Sequence, residues 1–111
     1  MVRYGLACAA LVLALTPPAA RAACYEIIGC THADRFAESD LRRLATCPIL
    51  WEMRNGIYSE NGYCFRTERA ISAFGNVGCA HDDTGSVPLN DYERANIATI
   101  VSVERAGNCP R

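Results

Sequence analysis

The sequence predicts a mainly α-helical fold: one small, disulfide-stabilised domain of three to four short helices. Three observations predict it. Seven cysteines fall within 111 residues. Helix-start and helix-stop residues bracket apolar runs of helical period along the second half of the chain. The length allows one domain and no more. Half of the residues are hydrophobic and 21% are charged, which excludes a disordered tail. Every one of the eleven basic residues is Arg, and the formal net charge is −1, so the basic footprint of a nucleic-acid binder is missing.

Residues 1–22 read as an export signal. Arg3 supplies the positive start, Leu6 to Leu15 is apolar throughout, and Pro17 and Pro18 end any helix. Ala20-Arg21-Ala22 then places small residues at the −3 and −1 positions of a cleavage site before Ala23. An apolar helix of that length rises only about 15 Å, half a bilayer core, so no transmembrane span is expected in the mature chain. Cys24 raises the lipoprotein reading, but Arg21 occupies the −3 position relative to it, where lipoprotein signals carry an aliphatic residue. The expected location is the periplasm or beyond.

Removal of the leader leaves nine Arg against twelve Asp plus Glu, and six cysteines: Cys24, Cys30, Cys47, Cys64, Cys79 and Cys109. An even number in an exported chain of this size reads as disulfides. A core this small is marginal, and each bridge adds about 2–4 kcal/mol. No C-x-x-C pair is present, so neither a structural zinc nor any other cofactor is expected.

Residues 23–40 are expected to form an N-terminal extended segment, with Tyr25, Ile27 and Ile28 leading to Gly29. The helical domain then spans 41–109. A first helix over Asp40 to Ala45, capped by Ser39, turns Leu41 and Leu44 inward. The second starts with Cys47 as N-cap and Pro48 at its first position, and ends at Asn61-Gly62. A third, short helix follows Thr67 as N-cap, presents Ile71 and Phe74, and stops at Gly75. Residues 76–88 form a loop. The last helix opens on Asn90, with Glu93 completing a capping box, and runs to Ala106 before Gly107.

A helical wheel exposes polar residues on apolar faces. On the second helix Arg54 falls about 40° from Leu50, among Met53, Ile57, Tyr58 and Trp51. On the last helix Glu93 and Glu104 lie within a stripe of Ile97, Ile100 and Val101. A guanidinium cannot sit on a buried face without an anion or several carbonyls. The two helices are therefore expected to pack face to face, with Arg54 paired to Glu93 or Glu104 and Tyr58 covering the guanidinium. The four residues form a structural polar lock. As a catalytic pair, Glu93 and Glu104 are about 16 Å apart along one helix, beyond the roughly 5–9.5 Å of glycoside hydrolysis.

Other candidates are weaker. His81-Asp82-Asp83 is a lone loop triplet that reads as solvated, and His32 has no nucleophile to serve. None of the serines lies in a G-x-S-x-G setting, and no glycine loop cradles phosphate. With the mature cysteines bridged, no Cys/His nucleophile is available. The residues make no case for catalysis.

Leu50 to Phe65, LWEMRNGIYSENGYCF, resembles the YARHG domain, an extracytoplasmic bacterial domain of unknown function, in its cysteine-rich alphaproteobacterial form. Leu50, Trp51, Arg54, Asn55, Ile57, Tyr58, Gly62, Tyr63 and Phe65 carry the first motif. Leu89, Glu93, Asn96, Ile97 and Ile100 carry the second. The name-giving pentapeptide keeps only its ends, as Tyr58-Ser59-Glu60-Asn61-Gly62. The resemblance implies a fold and an extracytoplasmic location, not an activity. Both Arg54 and Glu93 belong to its motifs, which makes Arg54–Glu93 the preferred form of the lock. Six cysteines allow fifteen pairings. Cys64 and Cys79 each follow a helix and close a short loop. Antiparallel packing brings Cys47 to Cys109, and Cys24 is left with Cys30. The expected role is an exported, non-catalytic module that binds an unknown component of the cell envelope. The alternative is a small hydrolase acting on peptidoglycan. Exposed ring edges of Trp51, Tyr63 or Tyr92 are the first candidates for a contact surface.

Overall fold

A computed structural model describes residues 23–110; the leader reading of residues 1–22 lies outside the described residues. The element order is β1 (Cys24–Tyr25), β2 (Gly29–Cys30), α1 (Glu38–Leu44), α2 (Cys47–Glu60), α3 (Glu68–Phe74), a 3-10 turn (Thr84–Ser86) and α4 (Asp91–Ala106). The structure is mainly helical, with three disulfides: Cys24–Cys30, Cys47–Cys109 and Cys64–Cys79. Such bonds form and persist in an oxidising, non-cytoplasmic compartment.

Four details of the helices differ from the sequence reading. α1 starts at Glu38, with Ala37 as an N-cap that offers no side-chain bond, so Ser39 sits inside the first turn. The helix holds its end by charge instead: Glu38 and Asp40 lie in the first turn, Arg42 and Arg43 in the last, and Arg42–Glu38 and Arg43–Asp40 pair along the surface. Leu41 is fully buried but Leu44 is 40% exposed, because two turns offer only one narrow stripe to α4. Cys47 and Pro48 are the first two residues of α2, and Thr46 is its N-cap. In α3 the buried residue is Ala70, and Ile71 faces outward. The Thr67 cap of α3 and the Asn90–Glu93 capping box of α4 are both formed.

The core is built where α2 and α4 pack, from Leu50, Met53, Ile57, Ile100 and Val103, with Leu41 of α1 beside them. Ile28 and Phe36 of the N-terminal segment enter the same cluster, and the ring of Tyr25 meets Phe36 edge-on. The β1–β2 hairpin turns at Ile27, whose φ of 70° is an unusual conformation for a β-branched side chain. A backbone bond from Ile28 N–H to the Glu26 carbonyl and the Cys24–Cys30 bridge close the turn around it.

Asn96 fixes this segment to α4. Its side chain is 1% exposed, accepts from the Phe36 N–H at 2.8 Å, and donates to the carbonyls of Thr31 and Asp34 at 3.0 and 2.7 Å. One amide thus satisfies three backbone groups that have no ladder to join. Replacing it by Leu keeps the volume and orphans all three. Asn96→Leu is expected to lose about 3 kcal/mol in urea denaturation, against less than about 0.5 kcal/mol for an exposed change such as Val77→Thr.

Candidate functional site

α2 and α4 run antiparallel. Cys47–Cys109 joins them at one end, and at the other the Asn61 amide donates to Glu93 Oε2 at 2.6 Å. Between these ties Arg54 donates from Nε to Glu104 Oε1 at 2.7 Å and from Nη2 to Oε2 at 3.0 Å. The Glu104 side chain is 4% exposed and that of Arg54 is 21% exposed. Charges this far out of water are tolerated because both carboxylate oxygens meet a donor in one plane.

The lock is therefore Arg54–Glu104, not Arg54–Glu93. Glu93 is committed to the start of its own helix. Its Oε1 accepts from the Asn90 N–H at 2.9 Å, while its own N–H donates to Asn90 Oδ1 at 2.8 Å. Asn61 takes the other oxygen, and Arg54 lies two turns away along α2, where Glu104 and not Glu93 is opposite. Tyr58 also differs from the sequence reading. Among the described residues the guanidinium groups lying over rings are Arg35 on Tyr92 and Arg69 on Trp51, whereas Tyr58 packs against Tyr63 at 5.7 Å. Burial raises the Tyr58 phenol above its ordinary value, and the nearby Arg54 charge opposes that rise.

Arg54 and Glu104 form part of the wall of a cleft of about 270 Å³. Trp51, Tyr63 and Phe65 supply aromatic surface, and Asn55, Arg66, Thr67, Ala70 and Val101 complete it. The far side depends on the loop after α2. Gly62, at φ 85°, accepts from the N–H groups of Ala80 and His81, and Cys64 donates to the His81 carbonyl. Asn76 grips Phe65 from both sides, accepting from its N–H at 2.7 Å and donating to its carbonyl at 2.9 Å. The Cys64–Cys79 bridge ties the same two strands of chain. Phe65 then stacks on Phe74, which meets Trp51 at 5.8 Å. The cleft wall is a cross-linked aromatic stack and not a free loop.

Arg66 on the cleft wall and Arg69 in a neighbouring pocket that shares Trp51 form no ion pair among the described residues. Arg66 donates to the Asp82 carbonyl at 2.8 Å, and Arg69 lies 3.8 Å over the Trp51 ring. Neither residue stood out in the sequence, since each reads as an ordinary solvated charge. Of the rings singled out there, Trp51 and Tyr63 line the cleft; Tyr92 is exposed elsewhere, beneath Arg35. His81 contributes backbone bonds to the wall. Among the described residues no group of three or more His, Cys, Asp or Glu gathers in a metal-binding arrangement, and no helix is long and apolar enough to cross a membrane.

The YARHG domain model matches residues 24–105, a span that takes in the N-terminal hairpin, the cleft and most of α4. No curated protein and no solved structure matches the chain.

A double-mutant cycle separates the two carboxylates. Arg54→Met and Glu104→Leu should each cost about 3 kcal/mol, and the double variant at least about 1.5 kcal/mol less than their sum. Arg54→Met combined with Glu93→Leu should add to within about 0.5 kcal/mol.

Proposed function

Because the chain belongs to the YARHG domain family, we propose that it is an exported, non-catalytic binding module of the cell envelope. Its cleft beside Trp51 holds a carboxylate-bearing component of the wall. One observation carries the reading: Arg66, with no ion pair among the described residues, lines an aromatic cleft, and Arg69, likewise without one, lies over the Trp51 ring that lines it, in a mature chain that has nine Arg against twelve acidic residues. Guanidinium groups recognise carboxylates by planar, bidentate bonding, and an aromatic wall excludes water beside them. Peptide side branches of peptidoglycan offer carboxylates next to small apolar groups, which is the chemistry such a cleft fits.

The three disulfides support export, as does the ordering of charge, apolar run and small residues in 1–22. A periplasmic or secreted product cleaved after Ala22 fits better than a lipoprotein. The sulfur of Cys24 is bonded to Cys30 and is not available for a thioether-linked lipid.

The hydrolase alternative has one observation in its favour. Burial, and to a lesser extent the charge of Glu93, raises Glu60 above its ordinary value at the Asn61 end of the α2–α4 seam. Glu93, however, has both oxygens engaged, and neither carboxylate lines the cleft. The one cleft carboxylate, Glu104, is held on both oxygens by Arg54. None of the three is placed to attack or to protonate a substrate there.

Co-sedimentation of the purified mature protein with isolated peptidoglycan sacculi tests the reading. The protein should pellet with the sacculi, and Arg66→Glu with Arg69→Glu should weaken that binding at least about tenfold, or about 1.4 kcal/mol, with the melting temperature little changed. Absence of pelleting, or equal binding by the double variant, contradicts it. Release of soluble wall fragments would instead support the hydrolase.

A further inference from the structure

Glu60 is the last residue of α2, and its Oε1 accepts from the backbone N–H of Ala23 at 3.0 Å. That nitrogen is fixed from its other side. The Ala23 carbonyl accepts from the Thr31 N–H at 3.0 Å, and the next residue, Cys24, is bridged to Cys30. A neutral amide is a modest partner for a carboxylate in this position. Burial raises Glu60 above its ordinary value, the Glu93 charge adds to the rise, and only the Ala23 hydrogen bond and His32 oppose it. The Tyr25 phenol close by is likewise raised, by burial and by the charges of Glu52 and Glu60. Among the described residues no Arg forms an ion pair with Glu60. This end of the seam therefore carries several carboxylates, faced by His32 and by no Arg ion pair among the described residues.

The sequence supplies a cation at the same atom. The small residues Ala20 and Ala22 frame a cleavage site whose scissile bond lies between Ala22 and Ala23. We propose that Glu60 is the docking site for the α-ammonium group created on Ala23 when the leader is removed. Hydrolysis adds water across that peptide bond; the carboxyl group leaves with Ala22, and the nitrogen of Ala23 takes up a proton. An amide with one hydrogen and no charge becomes an ammonium with three hydrogens, at a position already within reach of Glu60. A neutral hydrogen bond becomes a charge-assisted one, and the terminus is clamped to the end of α2. The proposal rests on the export reading, because cytoplasmic chain that retains its leader has no charge at this nitrogen.

The signs follow. A free α-amino group loses its proton near pH 8 in an unfolded chain. Facing Glu60, with Glu93 adding to the negative charge there and His32 opposing it, the folded terminus holds its proton to higher pH. The stabilisation is complete below about pH 8 and is lost as pH rises through the folded value. On the carboxyl side, the new charge opposes the burial that raises Glu60 in the leader-bearing chain.

The composition makes the test clean. The chain contains no Lys, so the mature protein has a single primary amine. The full chain is expressed with its own leader, the exported product is purified, and mass spectrometry identifies its first residue. Reductive methylation with 13C-formaldehyde then labels that one amine and keeps its charge, and NMR follows the methyl signal against pH. The folded protein should titrate about one pH unit above the same protein in denaturant. Glu60→Gln, which preserves the shape and an acceptor oxygen, should abolish the difference; circular dichroism checks that the variant is folded. Identical titration in the folded and denatured states, or a shift that survives Glu60→Gln, overturns the proposal while export stands. An exported product that begins elsewhere than Ala23 overturns the proposal and leaves the export reading intact. A protein that is not exported at all defeats both.

Discussion

The bidentate bond between Arg54 and Glu104 is the constraint from which the rest of the structure follows. Along α2 and its C-cap the residues that tie the seam are Cys47, Arg54 and Asn61, each two turns from the next and so on one face. Leu50, Met53 and Ile57 fill the space between them. Apolar contacts tolerate sliding, because a Leu packs nearly as well against one turn of Ile and Val as against the next. A planar pair of charge-assisted bonds does not tolerate it. A slip that breaks the pair leaves two charges desolvated without compensation, which costs more than the apolar contacts gain from any alternative register. The ion pair therefore specifies one packing of α2 on α4, while the disulfides and the apolar cluster supply most of the stability.

Much of this was legible in the sequence, for local reasons. The start of α4 is encoded by Asn90 and Glu93, whose capping bonds run to each other's backbone three residues apart, and the start of α3 by Thr67. A wheel identified Arg54 and the two carboxylates because angle around a helix depends on sequence spacing alone. Which carboxylate takes the Arg depends on height along the seam, and a wheel contains no height. The disulfide pairing did contain it. With Cys47 bridged to Cys109, Arg54 lies about 10 Å along α2 from the clamped end, Glu104 about 7 Å along the opposite strand, and Glu93 about 24 Å. Combined, the two readings select Glu104 for Arg54 and leave Glu93 for Asn61.

Other features depended on partners that are remote in sequence. Asn96 was marked in the sequence only as part of the second motif, and its role comes from Phe36, Thr31 and Asp34, some sixty residues away. Leu44 and Ile71 fit the apolar period of their helices and are still exposed, since neither seven-residue helix has a neighbour on that side. Arg66 and Arg69 became interesting only once the fold had brought Arg66 to the cleft of Trp51, Tyr63 and Phe65 and Arg69 over the Trp51 ring. The cleft is a consequence of the register: Arg54 and Glu104 form one wall, and the loop pinned by Asn76 and Cys64–Cys79 forms the other.

Arginine-detected NMR of the 15N-labelled protein addresses the central bond directly. The Nε–H of Arg54, buried against Glu104, should give a slowly exchanging signal distinct from those of surface residues such as Arg42. That protection should vanish in Glu104→Gln and persist in Glu93→Gln. An Arg54 signal that exchanges as fast as that of Arg42, or one that Glu93→Gln removes and Glu104→Gln spares, would contradict the account.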